Sequence, residues 1–400
     1  MLFFNSGARY SFGVMFKPLI AEFGWSRGSI SFAFFLNSTL WALSLVFVGR
    51  VYDRFGPRWV IIIGTIFISA GYALISVIDS LWQFYICYGI LVAIGMGGTA
   101  VPLISALASR WFVRWRGLAI SLALSGTCLG QFALVPLFTL FALKYGWRAS
   151  YLAIGLIMFA VNVTMALLVV KGDPGDLGQE PFGYSDRDKQ EGDDAISVQQ
   201  GVRDLVLREA MRTYSFWLFV IAMFICGSGD FLVATHLIPH VTDHGLSPTT
   251  AGNMLAWFGL LGLGGVLVVG PASDLIGNKI PLALTFLMRF SSFLLILNYQ
   301  TTVSFYIFSL TFGFTYLITG TLIPTTMGRL YGFLHIGLLS GFVNTVHHLG
   351  GGFWAYAGGF IFDRTGNYQL AFILSALMAL IAFFCCLFLK EIRHRPPEDI

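Results

Sequence analysis

Five ionisable side chains stand deep inside otherwise apolar runs: Arg9, Asp230, Arg289, His347 and His348, with His236 nearer the end of its run. At mid-bilayer such a group costs at least about 2.5–3.5 kcal/mol on insertion scales, which makes each a candidate for function. Their chemistry is that of gripping an anion or moving a proton. A guanidinium holds a carboxylate through a two-pronged fork, and histidine titrates near neutral pH. Arg9, with Tyr10 beside it, has no acid deep in its own half, since Glu22, Asp53 and Asp79 fall at run ends or in loops. Within its own half that leaves backbone carbonyls, or water reached by snorkelling. Asp230 is the acid within an apolar run of the second half, and Arg289 lies about 15 Å into its own run by helical rise. The two neutralise each other as a fixed pair, or separate so that Asp230 takes a proton or Arg289 meets an anion. His347 and His348 follow Asn344 by three and four residues, so one of them shares a helix face with it. That histidine is either a proton acceptor or a side chain satisfied by a neighbouring helix.

These groups do not make a catalytic constellation. Adjacent histidines on a helix point about 100° apart, a poor geometry for chelation, and no nucleophile stands beside a base. No metal and no cofactor is expected. The glycine runs around Gly95–98, Gly126–130, Gly259–265 and Gly350–352 are not phosphate loops, because none follows a strand or carries a lysine before Ser or Thr. Asn37, Gln131, Asn162 and Asn253 read as polar glue between helices.

The elements that position these groups follow from composition. Of 400 residues, 56% are hydrophobic, 16% aromatic and 11% charged. A soluble globule has about a quarter of its residues charged, so that class is excluded. The charges cluster between stretches of roughly 20 apolar residues, the length that crosses a bilayer core of about 30 Å. Twelve spans result: 1–22, 30–49, 59–78, 82–108, 116–142, 149–170, 214–239, 250–271, 280–298, 303–326, 337–361 and 368–389. Six lie in an N-terminal bundle (1–170) and six in a C-terminal bundle (213–400) with a short tail. The polar stretch 171–212 between them holds ten of the twenty acidic residues and reads as a solvated linker, helical in part from Val202 onward. The five cysteines lie in apolar runs without metal-ligand spacing and read as small core hydrophobes.

Orientation follows from the basic residues. With the N-terminus inside, seventeen of the 24 fall on the inner side, linker and tail included, and five outside (Lys17, Arg27, Lys144, Arg148 and Arg364). Both termini are therefore expected in the cytoplasm, and the protein in the plasma membrane. The net charge of +4 lies in loops and implies no nucleic acid. The first span is short: with Lys17 at the outer interface, Arg9 lies about 12 Å inward, leaving only eight residues to finish the crossing. We expect a first helix truncated by some ten to twenty residues, or a misplaced start, and no cleavable signal peptide.

One ten-residue pattern occurs twice, 221 positions apart. Gly49, Asp53, Gly56 and Arg58 (with Arg54 inside) match Gly270, Asp274, Gly277 and Lys279 at positions one, five, eight and ten. A weaker third version, Gly359–Asp363–Gly366, follows span 11 on the opposite face, as inverted repeats within each half would produce. Two similar halves are implied.

Twelve spans, a long central loop and this motif after spans 2 and 8 resemble the major facilitator superfamily across the whole chain. Two stretches are similar to its monocarboxylate transporter and oxalate:formate antiporter branch. One is 10–19 (YSFGVMFKPL) with 22–27 (EFGWSR); the other is 111–126 (WFVRWRGLAISLALSG). The resemblance implies an all-α membrane protein: twelve transmembrane helices in two pseudo-symmetric six-helix bundles, the first helix truncated. It implies a monomeric secondary transporter, not an enzyme, that moves a small organic anion such as a monocarboxylate by alternating access, with protons or by anion exchange. Arg9, Tyr10, Arg289, Asn344 and His347 are the candidate substrate contacts, and Asp230, His347 and His348 the candidate proton carriers. The motif residues are assigned to gating: their glycines allow close helix approach at the cytoplasmic face. Asp53 and Asp274 would sit at helix N-termini and pair with arginines there. Carriers of this branch usually hold an arginine in span 8, and 261–267 has none. The alternatives are a proton-coupled exporter of drugs or other metabolites and a non-transporting nutrient sensor. The exporter is disfavoured by the lack of an arginine in span 4 and of a Gly-Pro-Gly-Gly motif in span 5, the sensor by the short tails.

Overall fold

The computed structural model describes the chain except for residues 113–114, 173, 175–177, 184–203, 333 and 391–400, and does not describe the side chains of Val46, Asp53 and Arg116. Among the described residues twelve helical segments cross the molecule. In chain order they are α1 (Leu2–Tyr10 continued by Phe12–Phe23), α2 (Arg27–Phe55), α3 (Pro57–Ile75) and α4 (81–111). Then come α5 and α6, which share the stretch Arg116–Leu168 and part at Gly146. The second half has α7 (Tyr214–Asp243), α8 (Pro248–Ile276), α9 (Lys279–Asn298), α10 (Thr302–Tyr316 continued by Ile318–Tyr331), α11 (Ile336–Thr365) and α12 (Gln369–Leu387). By length and mean hydropathy alone nine stretches among the described residues could cross a membrane, and one of these, Leu118–Leu168, holds both α5 and α6. The missing two are α1, which is interrupted at Ser11, and α11, diluted by its glycines and histidines. Most of the linker expected at 171–212 lies outside the described residues; its end forms a four-residue helix, Leu207–Ala210.

Local chemistry explains the starts and stops. Hydroxyls of Ser26, Thr213, Ser247 and Thr301 accept the free amide of the first turn of α2, α7, α8 and α10. At the far end, Gly56 (φ 79°, ψ 167°) and Gly277 (φ 82°, ψ 174°) close α2 and α8 with almost the same backbone. Gly146 (φ 84°, ψ 166°) repeats it between α5 and α6. A positive φ of this kind favours glycine. The expected gap at the motif is in fact mostly helix: residues 49–55 and 270–276 are the last turns of α2 and α8, because polar residues beyond the apolar run continue the helix into water. Both α4 and α10, equivalent in the two halves, are broken, α4 at an extended Ala100 before Pro102 and α10 at Leu317.

The halves α1–α6 and α7–α12 meet mainly along α2 with α11 and α5 with α8. A Cβ on Gly352 would stand 3.0 Å from Ser38, one on Gly359 2.7 Å from the Arg27 carbonyl oxygen, and one on Gly252 2.7 Å from Thr139 Oγ1. These contacts run from the end bearing Arg27 to mid-depth, where Trp41 meets His348 and Gln131 meets Gly259. Beyond, towards the linker end, Gly49, Gly264, Gly270, Gly337 and Gly341 face open space. The halves thus part towards the linker end and close at the Arg27 end.

The closed end is tied by charge. Lys17 Nζ lies 2.7 Å from Asp243 Oδ1, and Arg27 grips the same carboxylate with both terminal nitrogens at 2.7 and 3.0 Å. Arg27 also donates to Tyr368 Oη at 2.8 Å and lies 3.6 Å over the Phe362 ring. Asp363 of the other half accepts from the backbone N–H groups of Arg27 and Gly28 at 2.9 and 2.8 Å, capping α2 from across the interface. Single exposed ion pairs contribute about 0.2–1 kcal/mol, but a shared bidentate acceptor couples several. Asp243→Asn should therefore loosen this end. Spin labels at Lys144→Cys and Ser247→Cys should show a longer-distance population in that background; an unchanged distribution would mean that the apolar contacts alone hold the closure.

Candidate functional site

At the apex of the opening, halfway through the molecule, α1, α2, α7, α10 and α11 bring together most of the predicted ionisable groups. Arg9 is 7% exposed, yet its Nη1 and Nη2 have no hydrogen-bond partner. Its guanidinium lies 4.3 Å from the Trp41 ring, 4.8 Å from Phe231 and 5.6 Å from Phe34. Two of these rings come from α2 and one from α7, so the cation sits between the halves. Cation–π contact in a desolvated place is worth about 2 kcal/mol. It offsets part of the burial cost and leaves the N–H donors unused. Tyr10, the next residue, hydrogen-bonds through its hydroxyl to that of Tyr316 on α10, a direct link between the halves beside Arg9.

On the other side of the apex Asp230 and Arg289 form the pair foreseen from the sequence. Arg289 Nη2 lies 2.8 Å from Asp230 Oδ1, and both side chains are 2% exposed. Every guanidinium nitrogen of Arg289 is engaged: Nε with Thr315 Oγ1 at 3.1 Å, Nη2 with the Thr315 carbonyl oxygen at 3.1 Å, and Nη1 with the Cys226 carbonyl oxygen at 3.2 Å. The predicted substrate contact by Arg289 is therefore not what this arrangement offers. Reaching in from α9, the side chain joins α7 to α10 in this arrangement. The other oxygen of Asp230 lies 3.4 Å from the Cys226 thiol and 3.8 Å from His347 Nε2. Cys226, Asp230 and His347 could together ligate a cation, but Arg289 already presents its charge to the same atoms, 3.3 Å from Cys226 Sγ.

The adjacent histidines divide between the two sides. His347 faces Asp230, and its Nδ1 is buried without a partner. His348 packs edge-on to Trp41 at 4.4 Å, next to Arg9. The contact found for Asn344 is through its backbone, whose carbonyl oxygen bonds His348 Nδ1 at 2.8 Å. His236 lies towards the Arg27 end, bonded to Tyr368 Oη at 2.9 Å and the Ala355 carbonyl oxygen at 2.8 Å. It is a satisfied interface histidine. Asn37, Gln131 and Asn162 act as the expected glue, bonding the Tyr88 carbonyl oxygen, the Leu255 carbonyl oxygen and Asn5.

A sequence model of the Major Facilitator Superfamily matches residues 1–355 and, in a second register, 218–399. The chain belongs to the major facilitator superfamily. Monocarboxylate transporter 13 of Bos taurus is 26% identical over 395 residues, 95% of this chain and 86% of that protein. The oxalate:formate antiporter of Oxalobacter formigenes is 27% identical over 244 residues, covering 60% of this chain and 53% of its own. Among solved structures, a bacterial homologue of the human lysosomal transporter Spinster, in an inward-facing and occupied conformation, aligns with a TM-score of 0.74. That alignment has 14% identity and covers 97% of this chain and 94% of the other, and it supports the fold. The protein is thus a facilitator-fold transporter, not an enzyme.

In this facilitator the gating motif departs from expectation. Asp274 is in the last turn of α8 rather than at a helix N-terminus, its carboxylate exposed and 3.8 Å from Arg329 of the same half. The side chain of Asp53, also in a last turn, lies outside the described residues. Arg54 lies over the Phe55 ring at 5.2 Å, Arg58 donates to the Val170 carbonyl oxygen at 3.0 Å, and Lys279 opens α9. The close approach expected at Gly49 and Gly270 is absent, because that end is open. It is the third motif copy, through Asp363, that caps a helix across the halves. Trp41, Phe231, Tyr316 and Cys226 escaped the sequence reading.

Removing one member of a buried ion pair costs about 3–5 kcal/mol. Asp230→Asn should therefore lower the melting temperature in detergent markedly, and adding Arg289→Gln should recover much of the loss. A double variant no more stable than the single would contradict a structural pair.

Proposed function

We propose that this transporter carries a small monocarboxylate, with Arg9 as its anion anchor. What carries the reading is the buried Arg9 guanidinium with two unspent nitrogens at the apex of the opening. A carboxylate supplies two acceptors in the matching fork geometry and the missing negative charge. The central group of Arg9, Asp230 and Arg289 sums to one positive charge while the histidines are neutral, which suits a monovalent anion. The names of two relatives, a monocarboxylate transporter and an oxalate:formate antiporter, agree with that chemistry. Arg9 stands in α1 and takes the part that an arginine in span 8 plays in the branch, from the opposite half.

In this reading Tyr10, with Tyr316, closes the site between the halves, and His347, His348 and Asp230 are the groups through which a proton travels with the anion. Anion exchange needs only that Arg9 be refilled before the halves reclose. The linker end and both termini face the cytoplasm of the plasma membrane, as the basic residues indicate. The open state is then inward-facing, a single chain sufficing for the cycle, and Asp53 and Asp274 act when the linker end closes.

Purified protein in liposomes tests this. Uptake of labelled lactate, pyruvate or oxalate should be stimulated by an inward proton gradient or by internal carboxylate. Arg9→Gln should reduce it at least about 100-fold at equal insertion, since a hydrogen-bonded charge pair is lost. Normal uptake by that variant would remove Arg9 from the site.

A further inference from the structure

Beside Arg9 stands a donor with no acceptor. Trp41 Nε1 is buried and has no hydrogen-bond partner. The face of the same indole underlies the guanidinium at 4.3 Å, while His348 packs against the ring at 83° to its plane. A ring face is all that the cation–π contact uses, and phenylalanine would supply one without burying an N–H. An indole N–H in such a place is a cost unless an acceptor arrives.

We infer that Trp41 Nε1 is the second donor to the transported anion, and that the site therefore takes small carboxylates and rejects the amino acids of the same shape. The inference rests on the carboxylate reading above. Both carboxylate oxygens meet the Arg9 fork, and an oxygen at the ligand's near edge meets the indole N–H. His347 Nδ1, on α11, is a further buried nitrogen without a partner. The acid at the apex is Asp230, whose Oδ1 faces Arg289 at 2.8 Å and whose Oδ2 faces Cys226 and His347. An ammonium on the ligand would thus enter beside an uncompensated guanidinium and lack a free carboxylate to replace its water. A site of unpaired donors discriminates strongly against a ligand that brings another donor, because the polar groups on both sides stay unsatisfied.

Lactate and alanine make the test, because they differ in a hydroxyl against an ammonium. In liposomes, wild-type uptake of labelled lactate should be unaffected by a hundredfold excess of alanine; competition by alanine at concentrations comparable to lactate overturns the exclusion. Trp41→Phe keeps the ring under Arg9 and removes the donor, so KM for lactate should rise roughly 10-fold or more, with the maximal rate kept. A KM within about twofold of wild type overturns the role of Trp41. Should the variant fail to insert, the wild-type protein answers through 15N-indole labelling. One indole resonance should move downfield on adding lactate and stay in place with alanine, and no such movement overturns the assignment. If uptake depends on Arg9 but not on Trp41, only this inference falls; if no carboxylate is taken up, the functional reading falls with it.

Discussion

A guanidinium buried in a bundle that crosses a bilayer must find its compensating charge, and the two halves meet that demand differently. The C-terminal half solves it internally. Arg289 reaches Asp230 at 2.8 Å and has every remaining donor occupied, so the charge there is spent on joining α7 to α10. The N-terminal half leaves it open. Arg9 has aromatic faces around it and no acid, which holds the positive charge in position without cancelling it. Aromatic rings are suited to this: they lower the cost of burial while leaving the N–H edge available.

That asymmetry needs the halves to be close at mid-depth and separable elsewhere. Glycines along α2, α8 and α11 give backbone-level contact from the Arg27 end down to the apex, and open space replaces such contact beyond it. Two of the rings around Arg9 belong to one half and one to the other, and Tyr10 meets Tyr316 across the same seam. Movement of one half against the other must therefore alter the environment of the cation.

Much of this was legible in the sequence. The twelve spans follow from length and charge placement, since a bilayer tolerates little else. Arg9, Asp230, Arg289 and the two histidines stand out because ionisable groups are rare in such runs, and the Asp230–Arg289 pair was foreseen. Helical periodicity says which residues share a face, but not which helix that face meets. Trp41, Phe34 and Phe231 were lost among the 16% aromatic residues for that reason. Gly146 lacked the aspartate that marked its counterparts, and so its shared backbone geometry went unseen. Spacing alone did not tell a last turn from a first one: Asp274 lies in the last turn of α8, near Arg329 of its own half, and it is Asp363 that caps a helix.

Asp363 has a wider implication. The first amides of α2 are satisfied by a carboxylate that belongs to the opposite half, at 2.9 and 2.8 Å. When the halves separate at this end, those amides and that carboxylate do not go unbonded; water takes each of them. Opening thus exchanges one set of hydrogen-bond partners for another and stores little strain. A latch built from hydration exchange is thermodynamically shallow, because the partners lost on opening are replaced by water.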